Sequence, residues 1–123
     1  MLKRTTIFLD GDMVRADQDF VESLLPGVIS TKGVFETMRV HEDKILFLQQ
    51  HLRRMFRGLK LYGLVMPYPV KKLTQYLYQT VQKNNLRKAR VRLAIWQQNG
   101  RLRTSIVCQP QRGPFPIHYQ QGY

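Results

Sequence analysis

The sequence predicts an α+β fold, in which an antiparallel sheet of five or six strands carries two amphipathic helices on one face. Apolar residues alternate with polar ones in the stretches 34–40 and 89–96, which is typical of β-strands. The stretches 48–62 and 70–84 instead repeat apolar residues with the period of a helix. Asp-Gly and Asn-Gly pairs separate two pairs of strand-like stretches and predict tight hairpins.

The composition is that of one globular domain with a modest core. The chain has 123 residues, of which 43% are hydrophobic, and this excludes wholesale disorder. No apolar run approaches the roughly 20 residues that span a bilayer, and the N-terminus does not read as a signal peptide, so we expect a cytoplasmic protein without membrane association. The one cysteine, Cys108, excludes an intrachain disulfide and fits a reducing compartment.

The net charge of +12 is the unusual feature of the composition. It suits nucleic acid, an anionic membrane surface, or a site for phosphates and carboxylates. The basic residues are spread along the chain with no run of five, and no recognition module accompanies them. We therefore expect no nucleic-acid partner.

The first predicted hairpin joins Thr5–Leu9 to Met13-Val14 through Asp10-Gly11-Asp12. The same residues match the haloacid-dehalogenase pattern, in which Asp10 would be a nucleophile and Asp12 an acid/base. That fold needs a doubly wound parallel sheet with strands and helices alternating after the motif, which the following sequence does not provide. The hairpin is the favoured interpretation. The stretch 16–30 predicts only a turn at 24–27.

The centre of the chain predicts a strand, a tight turn, a short strand and a long helix. The first strand covers 34–40, the turn 41–44 and the returning strand 45–47. A helical stripe then runs from Leu48 to Tyr62, and Gly63 stands where a C-terminal helix glycine belongs. The opposite face of this helix carries four basic residues: Arg53, Arg54, Arg57 and Lys60.

The second half predicts one more helix and one more hairpin. Pro69 fits the first turn of a helix that stops at Asn84-Asn85. A strand over 89–96, the turn Gln98-Asn99-Gly100 and a return strand over 102–108 follow. The tail 110–123 has three prolines and two glycines and reads as a linker.

Three motifs in the central stretch carry a family resemblance. They are Gly33-x-Phe35-Glu36-Thr37-x-Arg39-Val40, His51-Leu52-x-Arg54 and Leu61-x-Gly63. In this order and spacing they resemble the class IV aminotransferases, the fold-type IV pyridoxal-phosphate enzymes that include branched-chain and D-amino-acid aminotransferases and aminodeoxychorismate lyase. Lys83-Asn84-Asn85-Leu86 and Val91-Arg92-Leu93 continue the resemblance, which covers nearly the whole chain.

The resemblance implies roles for particular residues. Arg54 would bind the cofactor phosphate, for which the fixed fork of a guanidinium is suited, although it could instead belong to a solvated helix face. Independently of the resemblance, Arg39 and Arg92 point away from the apolar residues of their strands, so either could meet a substrate carboxylate or lie on an exposed strand face. Phe35 could pack beside the cofactor and substrate or lie in the core.

Two polar residues of the motifs have open roles. Glu36 shares a strand face with Val34, Met38 and Val40, so it needs a basic neighbour or a subunit interface. His51 is expected to cap or pack rather than act in acid/base chemistry.

The resemblance also implies an incomplete enzyme. Pyridoxal-phosphate catalysis needs a lysine bonded to the cofactor, which the family carries in a C-terminal domain, and no lysine here matches its motif. We expect residues 1–109 to be the small N-terminal domain and 110–123 a linker to a C-terminal domain that is absent from this sequence. The complete enzyme would be a homodimer acting on an amino acid or on aminodeoxychorismate. The alternative is a non-catalytic basic binding or dimerisation domain that retains the fold.

Overall fold

In the computed structural model, which describes residues 4–30 and 32–111, one antiparallel sheet of six strands carries three helices. The strand order is β2-β1-β6-β5-β3-β4. The elements, in chain order, are β1 Arg4–Leu9, β2 Asp12–Asp17, α1 Gln18–Ser30, β3 Gly33–His41, β4 Lys44–Ile45, α2 Leu48–Leu61, α3 Val70–Asn84, β5 Lys88–Gln98 and β6 Arg101–Pro110. The predicted fold class is confirmed.

Both predicted hairpins form, because each turn has residues that tolerate a left-handed backbone. Asp10 and Gly11 have φ of 49° and 107°, and Asn99 and Gly100 have φ of 52° and 77°. The Asp10 carboxylate accepts hydrogen bonds from the Thr104 backbone N–H at 2.8 Å and from Arg103 Nε at 2.6 Å. Since the sheet is antiparallel, the dehalogenase interpretation of this motif is wrong.

Helices α2 and α3 cover one face of the sheet, as predicted. Their buried apolar residues pack on the inward side chains of β3, β5 and β6 and form the larger core, which includes Leu52, Met55, Leu59, Leu73, Leu77, Met38, Val91, Leu93 and Ile106. Helix α2 ends just before Gly63, as predicted. The Gly63 N–H donates to Lys60 C=O at 3.0 Å, and the Leu64 N–H donates to Leu59 C=O at 2.9 Å, which is a Schellman motif.

Helix α3 is tied to the sheet by the Asn84 side chain. Its Oδ1 accepts the Thr6 backbone N–H at 3.0 Å and its Nδ2 donates to the Thr6 C=O at 2.8 Å. The described pairing of β1 with β6 is confined to Phe8 and Leu9, so the asparagine amide serves the Thr6 backbone groups beyond the end of that pairing. The predicted stop of α3 at Asn84 and Asn85 is confirmed, with Asn85 in the left-handed region.

The opposite face of the sheet carries α1, which the sequence did not predict. A turn was expected at 24–27, but the helix runs through these residues to Ser30. The Asp17 carboxylate accepts the Phe20 backbone N–H at 2.9 Å and caps the helix start. Val21 and Leu24 then bury against Trp96 and its neighbours in a second, smaller core. Burial against the sheet, together with the cap, stabilises this helix.

The β3 edge of the sheet is only partly covered. The return strand expected over 45–47 is reduced to Lys44–Ile45, which pairs with Val40 and His41 alone. The part of β3 from Gly33 to Met38 therefore has a described strand partner only on its β5 side. Among the helices of the described residues, none has the length and apolar character required to cross a membrane.

Candidate functional site: a buried carboxylate beneath helix α2

Glu36 lies in the middle of β3 and projects from the sheet toward α2. The strand alternates as predicted, so Glu36 shares its direction with Met38 and Val40, which are fully buried. Its side chain is only 8% exposed. A carboxylate this deeply buried must be hydrogen-bonded, because an unpaired charge in an apolar interface costs several kcal/mol or more.

Two side chains of α2 provide those hydrogen bonds. Arg54 Nε donates to Glu36 Oε2 at 2.9 Å, and Arg54 Nη2 donates to Glu36 Oε1 at 2.7 Å, which is a bidentate pair. His51 Nδ1 lies 2.7 Å from Glu36 Oε1, and because a carboxylate only accepts, we assign the proton to Nδ1. The expectation that a basic neighbour satisfies Glu36 is confirmed.

The spacing of His51 and Arg54 brings both side chains to one carboxylate. Residues three apart in a helix lie on the same face, one turn above the other. The helix can also lie close to the strand because Gly58 faces Val34, where a Cβ would come within 2.7 Å of Val34 Cγ1. Gly58 thus sets the distance between α2 and β3 that the three polar groups require.

The three groups differ in their access to solvent. The His51 side chain is 1% exposed, whereas the Arg54 side chain is 35% exposed. Glu36 holds the edge of the guanidinium that carries Nε and Nη2, while about a third of the Arg54 side chain is exposed. The interpretation of these residues as a solvated helix face holds for the exposed Arg53, Arg57 and Lys60. It is wrong for Arg54, which is bonded to Glu36.

Opposing effects act on the pKa of Glu36, and the hydrogen bonds prevail. Burial by itself raises the pKa, since it disfavours the charged form. Hydrogen bonds from His51 and Arg54 and the positive charge beside the carboxylate lower it, and the net result is a pKa below the usual value for glutamate. Glu36 is accordingly an anion at neutral pH.

The other residues expected to bind substrate lie on the opposite face of the sheet. Phe35 is 48% exposed there, so the core interpretation of this residue is wrong. Arg39 and Arg92 are half-buried, and Arg90 pairs with Arg39 across the β3–β5 ladder. Burial lowers the pKa of Arg92, and the charge of Arg90 lowers it further. Arg92 Nε is buried without a hydrogen-bond partner among the described residues.

The structure thus separates the predicted site residues into two groups. Arg54 lies on the α2 side, and Phe35, Arg39 and Arg92 project on the α1 side. Contact of any of them with a cofactor or substrate stays a prediction.

Sequence reasoning placed Glu36 correctly but did not identify its partners. The motif His51-Leu52-x-Arg54 contained the information, because its two basic side chains are three residues apart and so lie on one face of the helix. That face borders the apolar stripe, which packs on the strand that carries Glu36.

No cluster of three metal-ligating side chains occurs within residues 4–30 and 32–111. Cys108 is buried, and burial raises the pKa of its thiol to about 11, which makes it a poor nucleophile.

The same motifs identify the family. A family model described as amino-transferase class IV matches residues 33–118, well over half of the chain. The chain belongs to the class IV aminotransferases. A probable branched-chain-amino-acid aminotransferase of Rickettsia bellii is 26% identical over 90 residues, and a D-alanine aminotransferase of Staphylococcus epidermidis is 23% identical over 82 residues. These matches cover 73% and 67% of this chain.

Solved structures agree on the fold. A branched-chain aminotransferase from Thermoproteus uzoniensis superposes with a TM-score of 0.71 at 22% identity, over 88% of this chain and 41% of that one. A T.th. branched-chain amino acid aminotransferase, solved with pyridoxamine 5′-phosphate, gives a TM-score of 0.74 at 19% identity, over 96% of this chain and 43% of that one. The match to the Rickettsia relative covers 31% of its length, so the chain has the fold of only a part of such enzymes.

Proposed function

We propose that this chain is the small N-terminal domain of a pyridoxal-phosphate-dependent aminotransferase or aminodeoxychorismate lyase, and that its task is to hold the cofactor phosphate with Arg54. The observation that carries the proposal is the bidentate pair with Glu36, which fixes the guanidinium of the His51-Leu52-x-Arg54 motif while part of it stays at the surface. The T.th. enzyme, whose structure contains pyridoxamine 5′-phosphate, supports the choice of cofactor.

The residues fit a phosphate group. A guanidinium presents paired N–H donors in a plane, a geometry that matches two phosphate oxygens. The charge of Glu36 offsets that of Arg54, so the arginine contributes directed donors more than net charge. Exposed Arg57 and Lys60 on the same helix add the positive field that attracts a dianion. When bound, the cofactor supplies the electron-withdrawing ring that amino-group transfer requires.

Substrate recognition is proposed for the opposite face of the sheet. Arg39 on β3 and Arg92 on β5 project on the same face of the sheet, at diagonal positions of their ladder. The Nε of Arg92, which has no partner among the described residues, is suited to a carboxylate. Phe35, on the same face, supplies an exposed apolar surface. An amino acid, or the carboxylates of aminodeoxychorismate, would have the matching chemistry.

The separation of these residues from Arg54 supports a site shared between two copies. Side chains on opposite faces of one sheet serve a single small ligand poorly, whereas in a homodimer each copy can offer Arg54 to one site and Arg39 and Arg92 to the other. We therefore propose a homodimer. Light scattering should give twice the chain mass, and a strictly monomeric profile over the concentration range would contradict this. The one cysteine, Cys108, is free and fits a reducing compartment, which supports a cytoplasmic location.

We propose that the lysine that bonds to the cofactor lies outside this sequence. Every lysine in the described residues is exposed, and none matches the family's catalytic-lysine motif. We propose that residues 1–109 are the domain and that 110–123 lead to a C-terminal domain carrying that lysine. Pro110 is the last residue of β6, and the part of this segment from 112 onward lies outside the described residues.

The test measures how strongly binding depends on the phosphate group. Pyridoxamine 5′-phosphate is the probe, because it lacks the aldehyde that would react with surface lysines, and pyridoxamine is the same molecule without phosphate. We expect the chain to prefer the phosphate form by calorimetric titration, Arg54→Gln to abolish that preference, and Arg53→Gln, the exposed neighbour, to retain it.

Two outcomes would overturn the proposal. Equal binding of both probes by the unaltered chain would show that no phosphate site exists in it. Equal weakening by Arg53→Gln and Arg54→Gln would show that the general charge of the domain attracts the phosphate, which favours a basic binding domain.

A further inference from the structure

The geometry points to Glu36 as the positioning residue of Arg54, with His51 orienting Glu36 in turn. The inference rests on the proposed function, since it concerns how the phosphate-binding guanidinium is held. It adds roles for two residues that do not themselves touch a ligand.

Glu36 holds the guanidinium of Arg54 in one orientation. A long arginine side chain on a helix surface normally samples many rotamers, and ordering it on binding costs conformational entropy. Here Glu36 engages both Nε and Nη2, at 2.9 and 2.7 Å, which fixes the plane of the group as well as its place. A ligand that binds this guanidinium then meets an arginine that is already oriented.

His51 fixes the orientation of Glu36 in turn. A carboxylate with one partner can rotate about its last torsion, but His51 binds Oε1 from the α2 side at 2.7 Å. Oε1 therefore accepts from both His51 and Arg54, while Oε2 accepts from Arg54 alone. The imidazole is itself locked by packing, with 1% of its side chain exposed. The hydrogen bonds therefore connect the buried His51 through Glu36 to the partly exposed Arg54.

The three side chains are carried by a regular strand and a regular helix. Glu36 belongs to a strand paired along its length with β5, and both basic residues belong to α2. The close contact of Gly58 with Val34 fixes the helix on the strand one turn beyond Arg54. Groups held on regular elements keep their geometry better than groups on loops.

The experiment combines a ligand-free measurement with the phosphate preference, defined as the affinity for pyridoxamine 5′-phosphate divided by that for pyridoxamine. Hydrogen exchange of the Arg54 Nε–H with water, measured by NMR without ligand, reports whether the guanidinium edge is held. Glu36→Gln keeps the size but offers only one acceptor oxygen, and Glu42→Gln is the matched control at an exposed glutamate.

We expect slow Nε–H exchange in the unaltered chain and in Glu42→Gln, and fast exchange in Glu36→Gln. The phosphate preference should fall about tenfold in Glu36→Gln, as expected when about 1.4 kcal/mol of binding energy is lost. For His51, the asparagine variant keeps a donor near the Nδ1 position and should retain both properties, whereas His51→Leu should lose both. If His51 had a purely structural role, the folded fractions of His51→Asn and His51→Leu would show the same phosphate preference.

The outcomes separate this inference from the proposed function. If Arg54→Gln abolishes the phosphate preference but folded Glu36→Gln retains it, the positioning role is refuted and the phosphate site stands. If Nε–H exchange depends on Glu36 but the unaltered chain shows no phosphate preference, the proposed function fails while the fixed guanidinium remains. Fast exchange in the unaltered chain would overturn the inference directly.

Discussion

Replacement of Arg54 by methionine should destabilise the fold through the carboxylate that it leaves behind. The variant keeps the length of the side chain but removes both guanidinium contacts with Glu36, whose side chain is 8% exposed. Removing one partner of a buried ion pair typically costs about 3–5 kcal/mol. Arg54 itself is 35% exposed and His51 still binds the carboxylate, so we expect a loss of about 2–3 kcal/mol.

Urea unfolding followed by circular dichroism measures this loss. With a slope of about 1.5 kcal/mol per molar urea for a chain of this size, the midpoint should fall by about 1–2 M. Arg53→Met is the control, because Arg53 is exposed on the same helix, and its effect should stay within about 0.5 kcal/mol.

The double variant Glu36→Leu/Arg54→Met tests whether the unpaired charge of Glu36 causes the loss of stability. If the cost of Arg54→Met comes from a stranded charge, removing that charge as well should restore most of the stability, with a coupling of about 1–3 kcal/mol between the two sites. Additive effects of the two substitutions would refute the ion pair as the cause. They would indicate lost packing of the arginine stem on the sheet instead.

Four further changes test other parts of the structure. Folding lowers the pKa of Glu36, so the ionised carboxylate stabilises the fold above its unfolded pKa of about 4.3. This contribution is lost as the pH falls through the pKa of the folded state. The difference in stability between the unaltered chain and Glu36→Gln should therefore shrink in that acid range. Cys108, with a pKa raised to about 11 by burial, should react with a thiol reagent at pH 8 only as fast as the chain unfolds, and rapid reaction in the native state would contradict its burial. Gly58→Ala should destabilise by about 1–3 kcal/mol through its clash with Val34, and adding Val34→Ala should recover part of this loss in thermal unfolding. Asn84→Ala should cost about 2–3 kcal/mol by chemical unfolding, since it leaves buried β1 backbone groups unpaired, and a change below 0.5 kcal/mol would show that solvent satisfies them.

The parts of the fold that the sequence predicted are those determined by local chemistry. Asp10-Gly11 and Asn99-Gly100 form hairpins because their backbone preferences match the turn, whatever surrounds them. The end of α2 follows in the same way from Gly63. Periodicity was sufficient for the two helices of the larger core, because each has a continuous apolar stripe.

Helix α1 and the partners of Glu36 depend on contacts distant in sequence. The Pro-Gly pair inside this helix is a turn signal, and the burial of the helix against Trp96, more than seventy residues away, is invisible to a local pattern. Its start was detectable, since Asp17 is a favourable N-cap residue. Glu36 was recognised as a buried carboxylate in need of a partner, but the pairing with His51 and Arg54 depends on how α2 crosses β3.

The fold itself does not require this buried carboxylate. Well-packed apolar residues in place of a buried ion pair are often neutral or stabilising by about 1–4 kcal/mol, so Glu36→Leu/Arg54→Met should fold about as stably as the unaltered chain. If Arg54 is the phosphate-binding residue, this stable double variant should bind pyridoxamine 5′-phosphate no better than pyridoxamine. A folded double variant that keeps the phosphate preference would assign the phosphate to other basic residues of α2. The combination of retained stability and lost phosphate recognition would separate the functional role of the pair from its structural one, which no single substitution at either position can do.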